Sequence, residues 1–519
     1  MNASQKPKRD GPENRIAPER LLDVIAELQA DLQSTKRELQ STKRDLQTAK
    51  LELKKAQERI EELEKQVRAS TTTRTDEAYS MKAEEKRQAA RGKKKKKLES
   101  KGRRGRVSTA EKLALAKRTE RVFPVGVAES ECYLSHVRPV WRLEENRTIL
   151  IAYEIYRGPK NQYGIIPGVM GRSEFGQEIC VAIGHLVYLT GLSFGKVCQV
   201  FEFFQGLPLR KSQVNALLNQ LSRHWSGEFE TLCTLLANSM VVHADETSWS
   251  LNSVWAFLSE KARILFFGVH KDAQTLKTIL DPETFGGIVI SDDAAVYANF
   301  SKSQKCWAHL LRKAIKLTLL DPDKTAYRKL TDRMLEIYRK ALAVQSDGQL
   351  SHADRLKAVA ELEDAVGALC RPTWCVDLPP LEGAADDHRL LLNELGRLLV
   401  EEQLFTFVTA SPVTQPNGKT HCVAGTNNES ERTLRNPAEA RATGRTNKTD
   451  RGTRQRTVVT SVLESLRLYL PTFTLATVIA EVRSWEKAGR SCFEKLLAKL
   501  KILPPEVSVL DSLFPKPSG

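Results

Sequence analysis

Along the first part of the chain, apolar residues recur at every seventh position. Ile25, Leu32, Leu39, Leu46, Leu53, Ile60 and Val67 form one seam. Leu21, Leu28, Thr35, Thr42, Ala49, Ala56 and Leu63 form a companion seam among Lys, Arg, Glu, Asp and Gln. Two seams at this period predict a coiled coil over residues 17–68, and with it self-association into a homo-oligomer. Residues 1–16 lack any such pattern and read as a disordered tail. From 69 to 120 the pattern gives way to a polar, basic, Gly-containing linker that cannot bury a core.

The pattern then turns β-like. VWRL and TILIAYEIY carry the aromatic and β-branched residues of strands, and Pro159, Gly164, Pro167, Gly168 and Gly171 punctuate their end. A small β module is expected over 121–168. Residues 169–236 read as helical, with Ile179, Ile183, Leu186, Val187 and Leu189 on one apolar face. Within them a short helix, a turn at Gly206 and a second helix from near Lys211 fit a helix-turn-helix.

From Met240 strands and helices alternate. SMVVHADETSW, VWAFLS and ILFFGV read as three strands, AQTLKTIL as a helix, GGIVISDD as a fourth strand, and KCWAHLLRKAIK as a last strand turning into a helix. That order predicts a mixed sheet flanked by helices over 237–470. A mostly helical stretch interrupts it at 311–420, and a helical tail fills 471–519. The first strand ends in Asp245 and Glu246, the fourth in Asp292 and Asp293. A strand-end Asp is commonly a turn former. Two acids ending buried strands of one sheet instead call for a counter-charge, which a hard divalent cation with oxygen ligands supplies. Phosphoryl transfer on DNA uses two such ions, and a third acid from a neighbouring helix would complete their shell.

Charge narrows the choice of partner. The net charge is +16. Residues 82–106 hold 13 basic against 3 acidic residues, and 432–456 hold 8 against 2. Such concentrated runs point to a polyanion, with phosphate contacts from Lys93, Lys94, Lys95, Lys96, Lys97, Arg103 and Arg104 in the linker. Lys211 opens the second helix of the helix-turn-helix, while Arg432, Arg435 and Arg445 lie in the later run. No stretch of about 18 apolar residues exists, so no membrane span is expected. The N-terminus lacks a signal-type apolar segment, and a cytoplasmic, nucleoid-associated protein is expected. The 9 cysteines are scattered, Cys370 and Cys375 being the only close pair, and no zinc site is expected.

HADET, SDDAAVY, CWAHLLRK and NNESERTLR together resemble the large transposases of the insertion sequence 66 family. The resemblance implies a multidomain DDE transposase with an N-terminal coiled coil, a helix-turn-helix region and an α/β ribonuclease-H-like catalytic core carrying a helical insertion. It assigns Asp245 and Asp292 as the first two acids. Asn427, Asn428, Glu431 and Arg432 match the family's Asn-Asn-x-x-Glu-Arg motif, which makes Glu431 the third acid, with Glu429 as its competitor. From the residues alone, Asn would cap a helix there, and Glu431 with Arg435 at i,i+4 could equally be a surface ion pair. The implied cofactor is a pair of Mg2+ ions, with Mn2+ as substitute. The implied partners are double-stranded DNA, both transposon ends and target, and accessory transposition proteins. His309 in CWAH has either a packing or a site role. The sequence departs from the family twice: Cys132 stands alone where a cysteine-rich segment is usual, and Asp293 replaces a typical Gly. Two other readings stay open, an inactive transposase-derived DNA-binding regulator and an RNA-binding coiled-coil scaffold.

Overall fold

In the computed structural model the described residues are Lys54 and 108–514, except 146, 372–381, 448 and 505–506. The chain divides into two units, Met1–Gly105 and Arg106–Gly519. The expected tail, the coiled coil apart from Lys54, and most of the basic linker, with Lys93 to Lys97, Arg103 and Arg104, lie outside the described residues. Cys375 does as well.

The second unit begins inside the stretch that composition marks as linker. Ser108 caps helix α1 (Thr109–Ala114) through a reciprocal capping box with Glu111. Strand β1 (Arg118–Val122) then pairs in parallel with β3 (Arg147–Arg157), whose other edge takes β2 (Tyr133–Glu144) antiparallel. Val140, Ile151, Tyr153, Ile155, Ile166 and Val169 fill this module's own core.

A helical layer follows: α2 (Gln177–Gly184), α3 (Phe194–Gln205), α4 (Lys211–His224) and α5 (Ser226–Ala237). Ser193 caps α3, and Gly206 ends it at φ 59°, a left-handed turn that glycine adopts without strain. Arg142 of β2 and Glu178 of α2 form a nearly solvent-free ion pair of 2.7 Å between the module and this layer.

The central sheet is built from β4 (Val241–Trp249), β5 (Asn252–Ser259), β6 (Arg263–Val269), β7 (Ile288–Ser291) and β8 (Ser303–Lys305), with α6 (Ala273–Ile279) between β6 and β7. Its order is β6-β5-β4-β7-β8. The first three strands pair antiparallel, and β4–β7 and β7–β8 pair in parallel. The mixed α/β sheet expected from the alternation of strands and helices is therefore present, in the expected element order. Period-two alternation along β4 sorts its side chains. Val242 and Ala244 enter a core shared with α4 and α5, while Val241, on Asp245's side, joins a different core.

That second core belongs to α7 (Trp307–Leu320), α8 (Thr325–Ser346), α9 (His352–Cys370), α10 (Ala384–Val400) and the short α11 (Thr406–Thr409). Trp307, Leu310, Met334, Leu362, Leu395 and Phe407 are its large members, and Val241 and Ile290 fuse it to the sheet. A two-stranded hairpin, β9 (Val413–Thr414) and β10 (Thr420–His421), leads back to α12 (Asn428–Ala442) and α13 (Asp450–Tyr469). Helices α14 (Leu475–Ala488), α15 (Cys492–Lys499) and α16 (Val509–Leu513) close the chain.

Helix α13 solves the edge problem of β6. The Thr457, Ser461 and Ser465 hydroxyls accept hydrogen bonds from the N–H groups of Phe267, Leu265 and Arg263, at 3.1, 3.0 and 2.9 Å. Four helical residues rise about 6 Å and two strand residues about 6.7 Å. The two rows therefore stay in step, and the edge offers no free ladder to another chain. Among the described residues no helix is long and apolar enough to cross a membrane.

Candidate active site

Asp245 projects from the middle of the central strand, on the face covered by α12 rather than by α4 and α5. The backbone N–H of Glu246 donates to its Oδ1 at 2.9 Å. Its carboxyl is pushed up to about 7, first by burial and then by the charge of Glu246, with Asp292 and Glu431 adding to the effect. Asp292 and Glu431 are thus within electrostatic reach of Asp245, which sits in mid-strand and not at the strand end expected from the sequence.

Asp292 follows the last residue of β7, as the parallel β4–β7 pairing requires of an acid beside Asp245. Its Oδ1 accepts from the Ala294 N–H at 3.1 Å, a local turn. Its backbone carbonyl accepts from the Lys305 ammonium at 3.2 Å, while the same ammonium lies 3.3 Å from Ser291 Oγ. Burial pulls the Lys305 ammonium below its ordinary value, and Asp293 and Asp292 oppose that pull. Asp293 is turned outward and pairs with Arg397 of α10. The unusual second acid therefore ties this loop to the inserted helices.

Glu431 lies in the first turn of α12, and Asn427 fixes where that turn sits. Asn427 is fully buried. It makes no side-chain capping bond, contrary to the capping role expected of it. Its amide instead donates to the Ala244 carbonyl at 2.8 Å, one residue before Asp245, and its own N–H donates to Cys306 Sγ at 3.1 Å. One residue thus locks α12 to β4 and to the start of α7. Glu431 is then met by Arg312 of α7 at 2.5 Å, with His309 Nδ1 at 3.6 Å. The surface pair with Arg435 weighed from the sequence is replaced by this one. Glu429 points elsewhere, to Arg263 of β6.

Around the acids stand further polar groups. Glu246, nearly solvent-free, accepts from the Tyr297 hydroxyl and pairs with Lys271 at 2.5 Å. The bond to Glu246 and the nearby Asp292 and Asp245 hold the Lys271 ammonium above its ordinary value. Nothing in the local sequence marks Lys271, and Tyr297 enters the sequence reading only as the last residue of SDDAAVY, without a role. Burial, then Arg312, pulls the His309 imidazole below its ordinary value, and Glu431 and Asp292 pull the other way.

A cavity of about 550 Å³ opens over this face, lined by Asp245, Glu246, Thr247, Glu431, Arg432 and Arg435 among others. Arg432 and Arg435 are exposed on α12. Lys211 and Arg445 do not line it. Lys211 is exposed in the first turn of α4, and Arg445 is held by the Gly191 carbonyl and by Thr443 Oγ1. Chemically, the carboxylates of Asp245, Glu246 and Glu431 offer hard oxygen donors beside an arginine-lined opening, and Asp292 is not among its lining residues.

A family model described as Transposase IS66 family matches residues 172–455 of the chain. The match spans all the strands of the sheet, the acids and the inserted helices. No curated protein matches the chain.

Proposed function

The chain belongs to the transposase IS66 family, and from that premise we propose that it cuts DNA at transposon ends and joins the freed 3′-hydroxyl to target DNA. The observation that carries the proposal is the placement of the acids: Asp245 on β4, Asp292 just past the strand paired with it, and Glu431 on the helix that Asn427 ties to β4. The sheet order β6-β5-β4-β7-β8, with acids on β4 and just past β7, supports a ribonuclease-H-like reading of the core.

The three carboxylates fit a pair of Mg2+ ions, or Mn2+ in their place. Their oxygens are hard donors, and a divalent cation would offset the burial and the neighbouring negative charge, Glu246 first, that lift Asp245. When bound, such ions activate the attacking hydroxyl and neutralise charge on the leaving oxygen. The protein's own groups position the reaction. Asn427 sets the height of Glu431 against Asp245, Lys305 braces the backbone of Asp292, and Lys271 neutralises Glu246. Arg432 and Arg435 face the opening and would hold phosphate oxygens by charge-assisted hydrogen bonds. The helix pair α3–α4, with Lys211 at the start of α4, is proposed as the helix-turn-helix. Lys93 to Lys97, Arg103 and Arg104 are proposed to hold duplex DNA, and residues 17–68 to pair subunits.

The test uses DNA carrying the element's own ends, with Mg2+ or Mn2+. D245N, D292N and E431Q are each expected to abolish nicking and strand transfer while sparing DNA binding. Undiminished nicking by D245N would overturn the assignment. Absence of metal-dependent nicking in the unaltered protein, with DNA binding intact, would favour an inactive regulator.

A further inference from the structure

Beside the proposed magnesium site lies a second donor set of different chemistry. Cys306, His309 and Glu431 each present a ligand atom, and these atoms lie within 4.8 Å of one another. We propose that they form a separate site for a thiophilic divalent ion of the zinc class, sharing Glu431 with the magnesium pair. The binding claim stands apart from the proposed reaction, and only its inhibitory consequence rests on that reaction.

Local geometry builds the set. Cys306 precedes the first residue of α7 and His309 lies three residues on, so both side chains share the helix's opening turn. The sulfur is buried and already oriented as an acceptor by the Asn427 N–H. His309 Nδ1 is enclosed yet has no hydrogen-bond partner, and it faces Glu431 at 3.6 Å. A nitrogen so placed lacks the bond that an ordinary packing histidine makes. Thiolate, imidazole and carboxylate are the ligands zinc takes, three from the protein leaving a fourth position for water. Magnesium, which demands oxygen, has no use for the first two. On binding, the Cys306 thiol gives up its proton to solvent.

Arg312 now occupies Glu431, but its side chain is more than half exposed and such pairs are weak. Swinging it into solvent frees the carboxylate. An ion held by Cys306 and His309 then withdraws the third acid from the magnesium pair, so the two occupancies oppose each other.

The full chain, its C306S and H309Q variants, and zinc with a competing chromophoric chelator provide the test. The unaltered protein is expected to hold one tight zinc equivalent that both variants lose. The loss should exceed the roughly 10–100-fold cost of removing a mere outer-shell partner. Cobalt in place of zinc should give a sulfur-to-metal charge-transfer band, which C306S loses and H309Q keeps at lower affinity. Should C306S melt early, H309Q and its titration decide alone. Zinc affinity and stoichiometry unchanged in H309Q would overturn the site. One equivalent of zinc should also slow magnesium-supported nicking by the unaltered protein. If that protein never nicks, the proposed reaction fails while the binding result stands.

Discussion

Replacing Asp245 by Asn removes a charge that the fold holds against its preference. The carboxyl is pushed up to about 7, with burial the first cause and Glu246 the second. In the unfolded chain an aspartate titrates near about 3.9. Between those values the folded protein keeps a proton that the unfolded chain has released. Stability therefore falls as pH rises through this window, and the full penalty is present above about 7. An interval of about 3 pH units at about 1.36 kcal/mol each amounts to about 4 kcal/mol. Asparagine keeps the acceptor for the Glu246 N–H, so little else is lost. In chelator, D245N should exceed the parent in stability by about 1.5 kcal/mol at pH 5 and about 4 kcal/mol at pH 8. Unfolding entropy of about 2.1 cal/mol/K per residue over about 400 residues converts these to about 2 °C and about 5 °C in Tm. Scanning calorimetry at the two pH values reads the gap directly. Adding Mg2+ should raise the parent's Tm at pH 8 more than the variant's, because only the parent keeps all three carboxylates. A gap that does not widen with pH, or an Asn variant less stable at pH 8, would refute the reasoning.

Four further substitutions probe the site and its surroundings. N427A leaves the Ala244 carbonyl without its buried donor, and thermal melts should show a loss of about 1–3 kcal/mol; nicking should fall while DNA affinity measured by anisotropy holds. Gly268 sits at φ 69°, and a Cβ there would meet Thr453 Cγ2 at 2.8 Å; G268A should cost about 1–3 kcal/mol of stability, partly recovered by T453S. R432A and R435A should each weaken duplex binding and lower the slope of log affinity against log salt by about 1, with melting unchanged; an unaltered slope would remove these arginines from the DNA path.

The sheet was legible because each strand carries its own short-range signature. VVHADETSW and IVISDD read as apolar runs ending in acids, and parallel pairing of β4 with β7 follows once a helix separates β6 from β7. Contacts between residues far apart in the chain left no such signature. No periodicity tells that Asn427 bonds Ala244 instead of capping its own helix, or that Glu431 meets Arg312 and not Arg435. The row Thr457, Ser461, Ser465 reads as a polar stripe on a helix, which pattern analysis assigns to solvent; all three are buried against the edge of β6. A related contact orders the end of the stretch that composition marks as linker. ERV and its neighbours are strongly charged, and β1 forms because β3 offers it a partner, not because its own residues demand a strand.

That the second and third acids lie so far apart in sequence raises the question of how their spacing is kept. The chain leaves the sheet at Cys306 and returns at Asn427, and the two ends touch. The Trp307 N–H donates to the Gly425 carbonyl at 3.1 Å, and the Asn427 N–H to Cys306 Sγ at the same distance. Gly425 has no room for a side chain without displacing Phe407, whose ring carbons would lie 3.0 Å from a Cβ. Closing a loop adds cost only logarithmically with its length, and this loop folds on a core of its own. The inserted helices therefore meet the acids through side-chain ties, among them Arg397 on Asp293 and Arg312 on Glu431. The spacing of Asp245 and Glu431 is set instead at the loop's neck, by the Asn427 bonds to the Ala244 carbonyl and to Cys306 Sγ. Variation in the insertion should thus leave the spacing of the acids unchanged as long as the Cys306–Asn427 neck is kept.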